Sequence, residues 1–279
     1  MNTELKKEIG WEIANKNVFI GDETGDARAE SYKAITRDDT GGILSIKKRT
    51  YSPMCNSEFI DAVARISEIS GFPLLGYNEF KGGVKILGFL ENNRENFFIG
   101  SHKIKAYMLI GNSFDGTSSF FQGTSSILIR CQNQFSQIST QHNVRHSGDI
   151  QKKLEEFYTY LDLYFNQTSK LFKTLERFGD VKLTEELQEK MILFALGIDE
   201  NSEKEISSMK LKQMDLLRDL ILDEVTELGD NMWASFNGVT RLTTHELTTK
   251  HPTFGNVYGR PAEINTAAFN FANAQLTLN

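Results

Sequence analysis

The chain has 279 residues, 39% hydrophobic and 24% charged, a globular balance that excludes wholesale disorder and suits one large domain or two small ones. No run approaches the ~18 apolar residues of a membrane span, and the opening MNTELKKEIGWEI has no apolar signal core. The net charge of −6 is uneven: residues 155–230 carry 18 acidic and nine basic side chains, a balance of −9, and the remainder carries 22 basic and 19 acidic ones, a balance of +3. Such a remainder is compatible with a polyanion partner, although two ordinary solvated surfaces account for it too. Cys55 and Cys131, the two cysteines, suggest neither a disulfide framework nor a zinc site, and a reducing cytoplasm fits them.

Residues 1–31 read as a polar helical stub followed by a turn-rich arm through Gly21-Asp22-Glu23-Thr24-Gly25-Asp26. Residues 32–37 (YKAITR) and 43–49 (ILSIKKR) flank Asp38-Asp39-Thr40-Gly41-Gly42 and predict a hairpin. A helix follows over 56–70, capped by Asn56 or Ser57, with Phe59, Ile60, Val63, Ile66 and Ile69 on one face and Gly71 as its stop. A second hairpin is predicted from 74–80 and 84–90 around Lys81-Gly82-Gly83. Residues 92–96 read as a polar turn, 104–111 as a strand covered on both faces, and 112–117 as a chain reversal. Two further runs, 118–122 and 126–131, continue the sheet, with Gly123 as a bend or bulge.

The second half is helical. From Asp149, Leu154, Leu161 and Leu175 form one seven-residue series, broken by Thr168, and Phe157, Tyr164, Leu171 and Phe178 form another. They predict one helix ending near Gly179. Thr184 opens a second helix stopped near Gly197, a third runs over about 207–228, and Asp230 or Asn231 caps a fourth holding Trp233, Phe236, Val239 and Leu242. The tail from 252 reads as a short helix or a docking segment. The expected class is α+β: an antiparallel sheet of hairpins with one packed helix over 1–148, an acidic helical bundle or hairpin over 149–250, and a tail over 251–279.

Chemistry is harder to read. GxGxxG, Walker, HExxH, GxSxG and cysteine-pair metal motifs are all missing, which argues against the commonest cofactor and hydrolase classes; no cofactor and no metal are expected. Asn112, Asp115 and Gly116 suit a structured turn, in which the Asp side chain satisfies backbone amides. Lys47, Lys48 and Arg49 close a strand, as an exposed strand end or as phosphate contacts. Arg130, Gln132 and Asn133, around Cys131, can hold a phosphate or a base edge, or form a buried network pinning sheet to bundle. His142, Arg145 and His146 lie in a basic loop before the helix that carries Lys152 and Lys153, and a helix N-terminus beside such a loop favours a phosphate. His245 and His251 carry a weaker metal signal than these.

Several short motifs occur in an order that resembles a phage and plasmid family catalogued as a domain of unknown function. They are Tyr32-Lys33-Ala34-Ile35 to Tyr51-Ser52-Pro53, Ile110-Gly111-Asn112-Ser113-Phe114-Asp115-Gly116-Thr117-Ser118, Ile129-Arg130-Cys131-Gln132-Asn133, Arg145-His146-Ser147-Gly148, and Trp233 with Phe236-Asn237-Gly238-Val239-Thr240. Phe114 stands where the family often has histidine, which weakens a His-Asp pair in that turn. Gln134-Phe135 replaces a common Thr-Leu pair. The resemblance implies a mobile-element protein and supplies no reaction. The hairpin-helix-hairpin order is also loosely similar, at the level of fold, to Rad52-like single-strand annealing proteins.

The leading expectation is therefore a non-enzymatic binder or annealer of single-stranded DNA in replication or recombination, acting in a bacterial host cytoplasm and able to form homo-oligomers. Lys47, Lys48, Arg49, Arg130, Arg145 and Lys152 would meet phosphates, with Gln132, Asn133 and His146 beside them. One alternative is a nucleic-acid-directed hydrolase, for which Asp115, Arg130, Asn133 and His146 must converge. The other is a virion or scaffold protein with no catalytic site.

Overall fold

A computed structural model describes residues 5–22, 25–128, 133–138, 143–146, 148–199, 205–247 and 252–277. Its class is α+β, with two antiparallel sheets and a helical second half. The first sheet joins β1 (Ile13–Asp22), β2 (Gly25–Arg37) and β3 (Ile43–Lys48) in that order. The β2–β3 hairpin is the predicted one, with Tyr32 opposite Lys48 and Ile35 opposite Ser45. The N-terminal arm is instead strand: β1 pairs along β2 from Ile13–Arg37 to Asp22–Gly25. A run with alternating Asn and Lys showed too little apolar periodicity to announce this, because most of the ribbon faces water on both sides.

Next comes α1 (Asn56–Ser70), with the expected bounds and a left-handed Gly71 at its end. Its start is capped differently from the expectation. Cys55 is the cap residue, and its N–H donates to Glu58 Oε2 at 2.9 Å. The Glu12 carboxylate, distant in sequence, accepts from the N–H groups of Asn56 (2.8 Å) and Ser57 (2.9 Å). A carboxylate there meets the unpaired amides and the positive end of the helix. Burial pushes the Glu12 pKa up, but the N–H groups of Ser57, Asn56 and Ile13 outweigh it and leave a net lowering.

The second sheet is a sequential meander of β4 (Leu74–Phe80), β5 (Lys85–Ile99), β6 (His102–Ser113), β7 (Phe121–Leu128) and β8 (Gln134–Ile138). The tight link from β4 to β5 puts Lys81, Gly82 and Gly83 at positive φ, and a Cβ on Gly83 would press on Trp11 at 2.6 Å. Three expectations change here. Residues 92–96 lie within β5, where the register with β6 slips between Asn92 and Phe97. The runs around Gly123 are one strand, and Gly123 serves close approach: a Cβ there would lie 2.8 Å from the Gln137 carbonyl of β8. β8 itself was missed, since five residues with two Gln and one Ser carry little strand signal.

Helices cover both faces of the meander. Ile86, Leu90, Met108 and Ile110 share a core with Phe59, Val63 and Ile66 of α1 and with Leu154 and Phe157 of α2 (Ile150–Thr159). The predicted long helix is two, α2 and α3 (Leu161–Arg177), broken at Tyr160. The heptad seam is real, but much of it packs on the sheet. The gap at Thr168 has a purpose too: its hydroxyl lies 3.0 Å from that of Thr124 on β7.

Further along are α4 (Glu185–Leu196), α5 (Ser208–Leu228) and α6 (Met232–Arg241); Thr184 and Asn231 cap the first and last as expected, and Ser207, read as the start of the third helix, is the cap of α5. The tail forms α7 (Pro252–Tyr258) and α8 (Arg260–Gln275). Phe236, Phe269 and Met191 from these helices share one core with Phe97 and Ile104 of the sheet and Phe135 of β8. No helix among the described residues is long and apolar enough to cross a membrane.

Candidate functional site

The turn after β6 builds one wall of a cleft. Asp115 Oδ1 accepts from the Thr117 N–H at 3.0 Å and the Thr117 hydroxyl at 2.6 Å, and Gly116 takes φ +67. Ser113 Oγ donates to the Ser118 carbonyl at 2.7 Å and accepts from its N–H at 3.1 Å. Asn112 is fully buried, with Nδ2 donating to the Met54 carbonyl at 3.2 Å. For Asp115, burial pushes the pKa up, while the Thr117 hydroxyl and N–H, with Lys85 behind them, bring it below the usual value.

Facing this turn are Tyr51, just past β3, and His146, just before α2. The Tyr51 hydroxyl lies 2.7 Å from His146 Nδ1 and 3.4 Å from the Ser113 carbonyl. His146 is 6% exposed, and its Nε2 has no hydrogen-bond partner among the described residues. Burial, reinforced by Lys153, lowers the His146 pKa to about 4, so the ring is neutral near pH 7. Burial and the nearby Asp115 charge raise Tyr51 to about 12. The pair is therefore uncharged, His146 buried and Tyr51 half-buried, at the edge of a cleft of about 620 Å³, which Thr117, Ser119, Phe121, Arg145 and Tyr258 also line. Lys85 is 7% exposed and lays its ammonium 4.2 Å from the centre of the Tyr258 ring. Burial lowers the Lys85 pKa and Asp115 opposes that, while burial raises Tyr258.

The candidate residues separate into groups. Lys47 reaches inward from β3 to the rim of this cleft, its Nζ 5.9 Å from the Tyr51 ring centre. Exposed Arg145 and buried His146 are on the opposite side. Lys48 is exposed. Arg49 ties the first sheet together, donating to the Glu30 carbonyl at 2.7 Å and to Asn17 Oδ1 at 2.8 Å. Lys152 is exposed, its N–H held by the Asp149 carboxylate at 3.0 Å. Asn133 lies elsewhere: it is 3% exposed, and its Nδ2 is 3.4 Å from the Asn237 carbonyl and 3.5 Å from Glu224 Oε1 in the helical core. Arg130, Cys131, Gln132, His142 and His251 fall outside the described residues. Among the described residues no three His, Cys, Asp or Glu side chains form a metal-sized group. Sequence reasoning missed Tyr51, Lys85 and Tyr258 as site residues, since Tyr51 takes its setting from His146, and Lys85 and Tyr258 from each other, far along the chain.

The first sheet offers a second surface. Directly paired residues share a face, which puts Tyr32 with Lys48, Lys16 with Ala34 and Ile46, and, beyond the register shift between Asn17 and Phe19, Phe19 with Arg28. Tyr32 is 44% exposed and Ile46 53% on the outer side, and Phe19 (60%) and Ile43 (66%) also stand in water. The other side packs on the body through buried Ile35, through Ser45 Oγ donating to the Phe114 carbonyl at 2.6 Å, and through Arg37 pairing with Glu79 at 3.2 Å.

These features define an α+β protein with a covered five-stranded meander, an open three-stranded sheet and a polar cleft at the meander's end. The chain belongs to the family described as Domain of unknown function (DUF932), whose profile matches residues 43–264, from β3 into α8. No curated protein and no solved structure matches it.

Proposed function

We propose that the chain binds single-stranded nucleic acid in the replication or recombination of phages or plasmids, within the cytoplasm of a bacterial host, and that the open face of the β1–β2–β3 sheet is its binding surface. The observation that supports this most is that exposed rings of this sheet sit opposite cations: Tyr32 beside Lys48, and, past the register shift, Phe19 beside Arg28. Aromatic platforms flanked by cations hold single strands without sequence readout, because every base has a stackable face and every phosphate a charge. Self-association would repeat the face and multiply its charge, and this offsets the modest +3 balance outside residues 155–230.

A hydrolase centred on Asp115, Arg130, Asn133 and His146 is not proposed, because Asn133 is bound into the helical core away from the Tyr51–His146 pair.

Fluorescence anisotropy with a labelled oligothymidine tests the reading. Affinity should fall steeply with salt, and Tyr32→Ala or Phe19→Ala should each cost about 1–3 kcal/mol of binding. Lys48→Gln should flatten the salt dependence by roughly 0.7 of a unit in log–log slope. Absence of binding at low salt, or binding indifferent to all three substitutions, would sink it.

A further inference from the structure

We propose that the cleft between turn 113–119, Tyr51 and His146 is a binding site for a phosphate monoester, with the His146 Nε2–H as its buried donor and Arg145 and Lys47 as its cations. This site is separate from the open sheet face and does not depend on it.

The argument begins with the hydrogen bond between Tyr51 and His146. The Tyr51 hydroxyl keeps its proton and has two acceptors within reach, His146 Nδ1 at 2.7 Å and the Ser113 carbonyl at 3.4 Å. The nearer acceptor, His146 Nδ1, takes the proton. With Nδ1 accepting, a neutral imidazole carries its own proton on Nε2. That N–H belongs to a side chain 6% exposed, lies in the wall of the cleft, and has no partner among the described residues. Leaving a buried donor unpaired is unfavourable by about 1–3 kcal/mol, and among the described residues nothing offsets this, so the position suits an incoming acceptor.

The surrounding charge says which acceptor. Arg145 lines the cleft, Lys47 stands at its rim over Tyr51, and Lys153 is close enough to depress His146. The carboxylate of the facing turn, Asp115, is turned onto Thr117 and accepts from its N–H and hydroxyl. The field at Nε2 therefore favours an anion. The size and lining extend the assignment. About 620 Å³ is far more than a bare anion fills, and Tyr51, Phe121 and Tyr258 supply flat apolar walls beside the polar end. A phosphate monoester attached to a nucleoside matches both ends. Two sources carry that group: a free mononucleotide and the phosphorylated end of a nucleic-acid strand.

The test uses the full chain. Inorganic phosphate, a nucleoside 5′-monophosphate, and an oligonucleotide with either a 5′-phosphate or a 5′-hydroxyl are titrated by calorimetry. Long-range proton–nitrogen NMR follows the His146 ring in parallel. The expected result is saturable binding of a phosphomonoester that moves the His146 Nε2 resonance, with inorganic phosphate competing. Arg145→Gln, an exposed change that spares the fold, should weaken it by about tenfold, and His146→Phe by at least that much. Lys212→Gln, exposed on α5, should leave it unchanged. If the mononucleotide binds, the free nucleotide is a sufficient source; if only the 5′-phosphorylated strand shows cleft-dependent binding, the source is the strand end. No saturable binding by either at about 10 mM, a concentration beyond any physiological affinity, overturns the proposal, as does binding that Arg145→Gln and His146→Phe leave intact. The 5′-hydroxyl strand reports on the sheet face alone, so failure there and failure at the cleft are told apart.

Discussion

The two sheets are built from similar residue types and end in opposite states. The five-stranded meander is covered on both faces: Ile86, Leu90, Met108 and Ile110 lie under α1 and α2, while Leu87, Phe89 and Leu109 pack toward Val257 of α7. The three-stranded sheet is covered on one face only, and leaves Phe19, Tyr32, Ile43 and Ile46 in water. β-Branched and aromatic residues thus stabilise the meander by burial, and in the three-stranded sheet they are surface that the fold itself does not use. An apolar, cation-bearing face kept open on an otherwise well-packed molecule is where a partner is to be sought.

The sharpest way to break this contrast is in the covered sheet. Phe120 is fully buried against Phe59 and Phe157 and lies beside His146's neighbour Val144 through paired backbone bonds. Phe120→Ala should cost about 3–5 kcal/mol, read as a shifted midpoint in urea unfolding.

A somewhat smaller effect belongs to the cleft between the sheets. The folded His146 titrates at about 4 and the unfolded side chain near 6.5, so in that window the unfolded chain binds the extra proton. Its stabilising neutrality is fully present above about pH 6.5 and is lost as pH falls toward 4. Between pH 7 and pH 5 this alone removes about 2 kcal/mol, and His146→Phe should flatten that part of the stability profile.

Third is the Glu12 cap, a polar link between the lead into β1 and α1 beside the Asn56 bond to the Trp11 carbonyl. Glu12→Gln keeps the shape but removes the charge that three N–H groups share, and should cost about 1–2 kcal/mol. Since the folded Glu12 pKa is lowered, this contribution is present above the ordinary carboxylate range and fades as the pH drops through it. Unfolding of the variant at pH 7 and pH 3 should therefore converge on the wild type in acid.

The smallest effect is expected on the open face, where Ile46→Thr should change stability by no more than about 0.5 kcal/mol. A loss several times larger would mean that this face is already buried against another copy of the chain in solution, and a concentration-dependent midpoint would then accompany it.

Local signals in the sequence were enough for α1 with its Gly71 stop, the β2–β3 and β4–β5 hairpins, the caps Thr184 and Asn231, and the α+β class. Each rests on the period of a few side chains or on one residue's φ preference, and neighbours in sequence set both. β1 and β8 escaped because strands whose outer residues are Asn, Lys, Gln and Ser show no alternation to read, and only pairing with β2 and β7 makes them strands. The junction around Arg130–Asn133 read as one polar centre; tertiary packing sends Asn133 into the helical core and His146 to Tyr51, 95 residues away. Spacing along the chain determines which face of an element is apolar. Which polar groups are buried together, and so which of them acquire a shifted proton or an unmet hydrogen bond, is decided only when distant elements close on one another.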